Sequence, residues 1–92
     1  MLRHICMFKI LPAAVAETLS RAQSLREIAC IRRFEAVSGA PGMPDDNYNF
    51  ALICDFDDAA ALQAYQTHPV HLEFAAYIAT VREARACIDF AV

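Results

Sequence analysis

Between residues 65 and 71 the chain reads Tyr65-Gln66-Thr67-His68-Pro69-Val70-His71, a tyrosine and two histidines set around one proline. Imidazole changes protonation near neutral pH, so it can take or give a proton under ordinary conditions. A tyrosine hydroxyl beside it can donate to a carbonyl oxygen while the ring accepts a proton from a neighbouring atom of the same compound. That chemistry needs neither metal nor cofactor, and no cofactor is expected. The candidates for it are Tyr65 and His71. Two residues far away in sequence join them, His4 near the amino end and Asp89 near the carboxyl end. A carboxylate next to an imidazole fixes its tautomer.

Each of these residues also has a structural use. His68 stands directly before a proline and suits a capping or orienting role. Tyr65 and His71 could instead clamp a helix break by bonding to backbone groups freed near Pro69. His4 and Asp89 could be a core histidine satisfied by one carboxylate. His68 and His71 are only two imidazoles with proline between them, and a catalytic zinc usually has three protein ligands, so no metal site is expected.

The elements that must position these groups are legible from periodicity. From Leu2 to Ile10 the chain alternates, with Leu2, His4, Cys6, Phe8 and Ile10 on one face of a strand and Arg3, Ile5, Met7 and Lys9 on the other. Val15, Leu19, Ala22 and Leu25 recur at helical spacing between Ala13 and Ile28, with Pro12 tolerated just ahead. A second strand is expected from Ile31 to Val37, then a turn-rich segment from Gly39 to Asp46. A third strand is expected from Tyr48 to Phe56, and Asp57 or Asp58 caps the helix after it. That helix carries Leu62 and Tyr65 and breaks at His68-Pro69, because a residue before proline is pushed out of the α region. Val70, Phe74, Tyr77, Ile78 and Val81 then form an apolar stripe down to about Glu83, and Arg85 to Val92 alternates as a fourth strand.

This order predicts an α+β domain of the ferredoxin-like β-α-β-β-α-β type spanning residues 1–92, a four-stranded antiparallel sheet with helices on one face only. Strand parity puts His4 and Asp89 on the helix side, where Phe8, Phe50 and Phe74 are expected to line a pocket with them. The opposite face carries Ile5, Met7, Val37, Ala51, Ile53, Ile88 and Phe90, too apolar to leave in water. A chain of 92 residues that is 58% hydrophobic has surface to spare for a partner. Burying roughly 700 Å² or more of this face per subunit reaches the scale of a stable interface, so a homodimer through the exposed sheet face is expected.

Composition excludes several function classes. The net charge is −3 and Lys9 is the only lysine, so no basic stripe exists for nucleic acid. Arg32 and Arg33 read as ordinary surface or edge charges. No apolar run approaches the roughly 20 residues of a membrane span and no export signal is visible, so a cytoplasmic location is expected and no membrane partner. Reduced thiols follow, and Cys6, Cys30, Cys54 and Cys87 show no C-x-x-C spacing. Cys6 and Cys87 fall roughly opposite each other on adjacent strands, yet both are expected to stay reduced.

Four stretches together resemble the stress-responsive dimeric α/β-barrel family: Arg3-His4-Ile5 to Phe8-Lys9, Asp55-Phe56-Asp57-Asp58, the segment from Tyr65 to His71, and Ile88-Asp89-Phe90. The resemblance covers essentially the whole chain and implies a dimeric barrel. For function it implies less, since the family holds members without an assigned activity, plant stress and defence proteins, and a branch containing olivetolic acid cyclase. In that branch the tyrosine and second histidine of the segment act on substrate, and they match Tyr65 and His71. His4 and Asp89 match further cavity residues of the branch. Phe50 stands near the place of another cavity histidine, so that enzyme's own substrate does not carry over. Antibiotic-biosynthesis and haem-degrading monooxygenases share the dimeric fold, but the chain has no tryptophan and no cofactor motif, which ranks oxygenase chemistry low.

Two readings result. In the first, a dimeric barrel binds a small molecule and runs cofactor-free cyclisation or isomerisation on a carbonyl compound through Tyr65 and His71. In the second, the protein is a non-enzymatic stress-responsive dimer whose histidines are structural. A cavity reaching Tyr65 or His71 is what the enzymatic version requires.

Overall fold

The computed structural model describes residues 1–92. Strand β1 (Leu2–Ile10) leads through a short 3₁₀ turn at Pro12–Ala14 into α1 (Val15–Ala22), which tightens into a second 3₁₀ segment, Gln23–Glu27. Strands β2 (Arg33–Ser38) and β3 (Phe50–Phe56) follow, then α2 (Ala59–Thr67), α3 (Pro69–Ile78) and β4 (Arg82–Ala91). The sheet order is β2-β3-β1-β4, with every neighbouring pair antiparallel. This is the ferredoxin-like arrangement expected from the pattern.

The alternation of β1 and β3 decides which side is covered. Cys6, Phe8, Ile10, Phe50, Leu52, Cys54 and Phe56 all face the helices and are buried. Ala22, Leu25, Leu62, Tyr65, Phe74 and Ile78 meet them from the helical layer. Thr18 is a buried polar residue that the periodicity passed over. Its hydroxyl donates to the Ala14 carbonyl at 2.8 Å and lies 2.9 Å from the Tyr77 hydroxyl, so it joins α1 to α3. Met7, Val37, Ile88 and Phe90 lie on the other face and are exposed.

Three boundaries move from their expected places, each for a physical reason. The third strand begins at Phe50 rather than Tyr48: the Asn49 backbone still bonds Phe8 and Gly39, but beyond that point the Asn49 side chain takes the place of the ladder. Its Oδ1 accepts from the Ile10 amide and its Nδ2 donates to the Ile10 carbonyl, both at 2.9 Å. The last helix stops at Ile78 rather than near Glu83, and β4 begins at Arg82 rather than Arg85. Pairing with the end of β1 continues past a register shift at Lys9/Ile10 to Ile10↔Arg82, and the Leu11 amide donates to the Val81 carbonyl. Strand partners from β1 thus claim residues that the apolar stripe assigned to a helix. Between Ala13 and Ile28 only Val15–Ala22 is α-helical, the flanks being 3₁₀.

Asp58 rather than Asp57 caps α2, accepting from the Ala61 amide at 2.9 Å. Asp57 instead holds Arg32 through two hydrogen bonds, and Arg33 pairs with Glu35, so both arginines are surface charges. No helix is long and apolar enough to cross a membrane.

Candidate functional site

Sheet register brings His4 directly opposite Asp89. An ionised carboxylate only accepts, so His4 Nδ1 donates to Asp89 Oδ1. The imidazole is buried, while the aspartate side chain is 44% exposed. The pair therefore runs from the core out to the β4 edge of the sheet.

Tyr65 projects from the last turn of α2 and is 1% exposed. Its ring packs edge-on to His71 with centroids 4.5 Å apart, against Phe56 at 5.1 Å, and 6.4 Å from the His4 ring. Burial pushes the Tyr65 phenol well above its ordinary range, and the nearby Cys54 thiol adds to the rise. Tyr65 is therefore neutral and able only to donate or accept a hydrogen bond. Burial likewise pushes the Cys54 thiol up to about 12.

The break after α2 places His71. His68 has an extended backbone (ψ 137°), which ends α2 and turns the chain into α3, with Pro69 in the first helical turn. His68 Nδ1 accepts from the Val70 amide at 3.1 Å, so this histidine is an N-cap. His71 follows on the first turn of α3 and folds back onto Tyr65. Its Nδ1 is buried and has no hydrogen-bond partner of normal geometry. Burial lowers the His71 pKa, and the His4 and Arg85 charges lower it further against the opposing pull of the Gln66 backbone. The ring is thus a neutral base at ordinary pH.

The fold therefore brings His4, Asp89, Tyr65 and His71 into one neighbourhood, while His68 is spent on the cap. Phe8, Phe50 and Phe74 pack on one another, with successive centroids 5.9 and 6.4 Å apart, and fill the space they were expected to line. Three cavities are present. The one nearest the motif, about 370 Å³, lies between α1 and α3 and is bordered by Arg21, Val70, Phe74 and Tyr77. None of the three borders His4, Tyr65, His71 or Asp89.

Cys6 and Cys87 depart from their expected state. They face each other two residues beyond the His4–Asp89 pair and are joined as a disulfide, with Cα atoms 4.2 Å apart. Directly opposed residues on antiparallel strands bring their side chains this close, so register alone puts the sulfurs in reach. Cys30 and Cys54 remain free thiols. The histidine and cysteine donors that converge within ligand distance are His4, Cys6 and Cys87, not His68 and His71. The signal was present in His4-x-Cys6 on one strand and Cys87-x-Asp89 on its antiparallel neighbour, readable only once the register is known.

Comparison with known proteins places this geometry in a family. A dimeric ferredoxin-like protein of unknown function from Thermobifida fusca is 28% identical, with a TM-score of 0.86 over 99% of this chain and 90% of that one. A dimeric protein of unknown function and ferredoxin-like fold from Bacteroides fragilis is 31% identical, with a TM-score of 0.75 over 99% of this chain and 95% of that one. A Dabb family protein from Mesorhizobium loti shares the fold at 24% identity, with a TM-score of 0.81 over 99% and 95%. No curated protein matches the chain. The model of the stress-responsive A/B barrel domain, Dabb, matches residues 2–92, and the chain belongs to that family.

Proposed function

We propose that the protein is a homodimeric barrel, closed by two bare sheet faces, that binds a small carbonyl compound against His71 in each subunit. The carrying observation is His71, a ring kept neutral by its surroundings whose buried Nδ1 has only the Gln66 backbone near it and no hydrogen bond of normal geometry. Buried polar atoms are almost always satisfied, so a poorly satisfied one is a place at which a ligand can supply the partner. A neutral imidazole there accepts a proton from a carbon beside a carbonyl or from a hydroxyl, the step that opens a cyclisation or isomerisation. Tyr65 lies beneath the ring and positions it. No cavity reaches Tyr65 or His71 with the helices in this arrangement, so ligand contact with either requires the first turn of α3 to move about the break at His68-Pro69. Dimeric relatives and the exposed apolar face support the homodimer.

A second reading is favoured by a specific observation. The space around Tyr65 is filled and no cavity borders it or His71, which suits a stress-related dimer whose histidines serve packing and capping. Saturation-transfer NMR against a panel of small aromatic and polyketide-like carbonyl compounds separates the two. Binding that is lost in His71→Ala with an unchanged melting temperature is the result expected of a ligand site. A lowered melting temperature in His71→Ala, with no compound bound by either protein, assigns the histidine to structure.

A further inference from the structure

The register of β1 and β4 lines up four donor side chains on one face of the sheet, His4 opposite Asp89 and Cys6 opposite Cys87. One His4 nitrogen and the two sulfurs lie within 4.8 Å of one another. Zinc binds imidazole nitrogen at about 2.0–2.1 Å and thiolate sulfur at about 2.3 Å, so in a tetrahedral sphere two ligands of one ion are separated by about 3.5–3.8 Å. The three donors thus lie within about an ångström of a single coordination sphere. Cleaving the S–S bond frees both sulfurs to rotate about their Cα–Cβ bonds and closes the small remainder.

The surroundings suit an ion as well. Asp89 already accepts from His4 Nδ1, and a carboxylate that holds one ring nitrogen orients the other toward a metal and makes it more basic. β4 is an edge strand. Cys87 is exposed there while His4 and Cys6 are buried, so an ion has a path in and two rigidly held ligands to meet.

We propose that the reduced protein binds one zinc-class cation per chain through Cys6, Cys87 and His4, with Asp89 orienting the imidazole, and that ion and disulfide exclude each other. A thiol reductant opens the site. Two of its thiols exchange in succession with the Cys6–Cys87 bond, leave as their own disulfide, and deliver two protons to the cysteines. Metal binding then displaces those protons as the thiols become thiolates. Two thiolates and an imidazole select zinc over magnesium or calcium, which prefer oxygen ligands. Three protein ligands leave a fourth position open to water or a small ligand.

The other two cysteines stand outside this site. Cys54 is fully buried with its thiol pushed up to about 12, and the Cys30 thiol donates to the Ala61 carbonyl. Nothing in the proposal depends on a ligand at His71.

The test uses the full chain, once oxidised and once in a phosphine reductant that does not compete for metal as thiols do. Cobalt(II) serves as the spectroscopic stand-in, and zinc is titrated calorimetrically. One ion per chain and a thiolate-to-cobalt charge-transfer absorption are expected in the reduced protein, with neither in the oxidised one. Cys87→Ser is compared with reduced wild type, so that no crosslink exists on either side, and its zinc affinity falls by about 100-fold or more as a thiolate ligand is lost. Asp89→Asn lowers affinity about 10- to 100-fold. Cys30→Ser and His71→Ala bind as wild type. Absence of the charge-transfer absorption in reduced protein, or a Cys87→Ser variant that binds zinc as tightly as wild type, overturns the proposal.

Discussion

One sheet presents two faces of similar apolar character and opposite fate. Toward the helices, Cys6, Phe8, Ile10, Phe50, Leu52, Cys54 and Phe56 are at most 5% exposed. On the other side, Met7, Val37, Ile88 and Phe90 are between 38% and 59% exposed. The strands do not cause this difference, since they alternate apolar residues onto both faces. The helices cause it by covering only one. Large exposed apolar patches mark interaction sites, and this face is where the proposed dimer would close. The polar groups divide in the same way. On the covered face His4 reaches Asp89 and His71 Nδ1 lacks a hydrogen bond of normal geometry, whereas on the bare face Arg3 grips Asp55 through two hydrogen bonds of 2.8 and 3.0 Å at one end of the apolar patch.

The sharpest way to break this comparison is to put a charge on the bare face. Ile88→Glu places a carboxylate on this face in each half of the proposed twofold interface, and like-charge juxtaposition in an interface costs several kcal/mol. The dimer is expected to dissociate at low micromolar concentration, by about 100-fold or more in Kd, as read by sedimentation equilibrium. A variant that stays dimeric would show that association uses another surface. Next in size is Tyr65 on the covered face. Removing a fully buried aromatic ring costs about 3–5 kcal/mol, so Tyr65→Ala is expected to lose that much in urea unfolding. Tyr65→Phe keeps the ring and removes only the hydroxyl's interaction with the Cys54 thiol, so it should lose about 1 kcal/mol, the usual scale of one hydrogen bond.

How much of this was legible in the sequence differs between fold and site. Strand parity alone assigned His4, Cys6 and Phe8 to one face and Ile5 and Met7 to the other, because a period of two leaves no third option. The break at His68-Pro69 was equally readable, since proline restricts the residue before it. The boundaries at Tyr48 and Glu83 were not, because a side-chain clamp by Asn49 and a register shift in β1 are tertiary facts. The site was legible as a set of residues and not as a space. Periodicity shows that Phe8, Phe50 and Phe74 point inward, but whether they line a void or fill it depends on rotamers and the distance between layers. The Cys6–Cys87 bond shows the same limit. Register puts the two side by side, while an expected cellular compartment bears on their surroundings and not on their geometry.

The two caps on either side of the motif offer a smaller test. Asp58 satisfies the first turn of α2 and His68 that of α3. Replacing an N-cap by alanine costs about 1 kcal/mol, so Asp58→Ala and His68→Ala should each lower stability by that order and leave ligand binding alone. A much larger loss in His68→Ala, or loss of a bound ligand with it, would move this histidine from the cap into the site.

The finest effect expected is the pH dependence that His71 imposes through burial. Its ordinary pKa is 6.5, and burial, aided by the charges of His4 and Arg85, holds the folded value lower. Below pH 6.5 the unfolded chain therefore takes up a proton that the folded chain refuses. By linkage, the stability owed to the neutral ring is complete above the unfolded value and is lost as pH falls through the folded one. His71→Gln removes the titration, so its melting temperature should fall less steeply than that of wild type just below pH 6.5. Asp55 does not blur the comparison. Its carboxyl is held below the ordinary 3.8 by the Arg3 guanidinium, so its contribution is present above that value and is lost only at lower pH, as pH falls through the folded pKa. Equal slopes for wild type and His71→Gln between those two windows would mean that the imidazole is solvated in both states. The covered face would then hold only polar groups with partners, His4 on Asp89 and Thr18 on Ala14 and Tyr77.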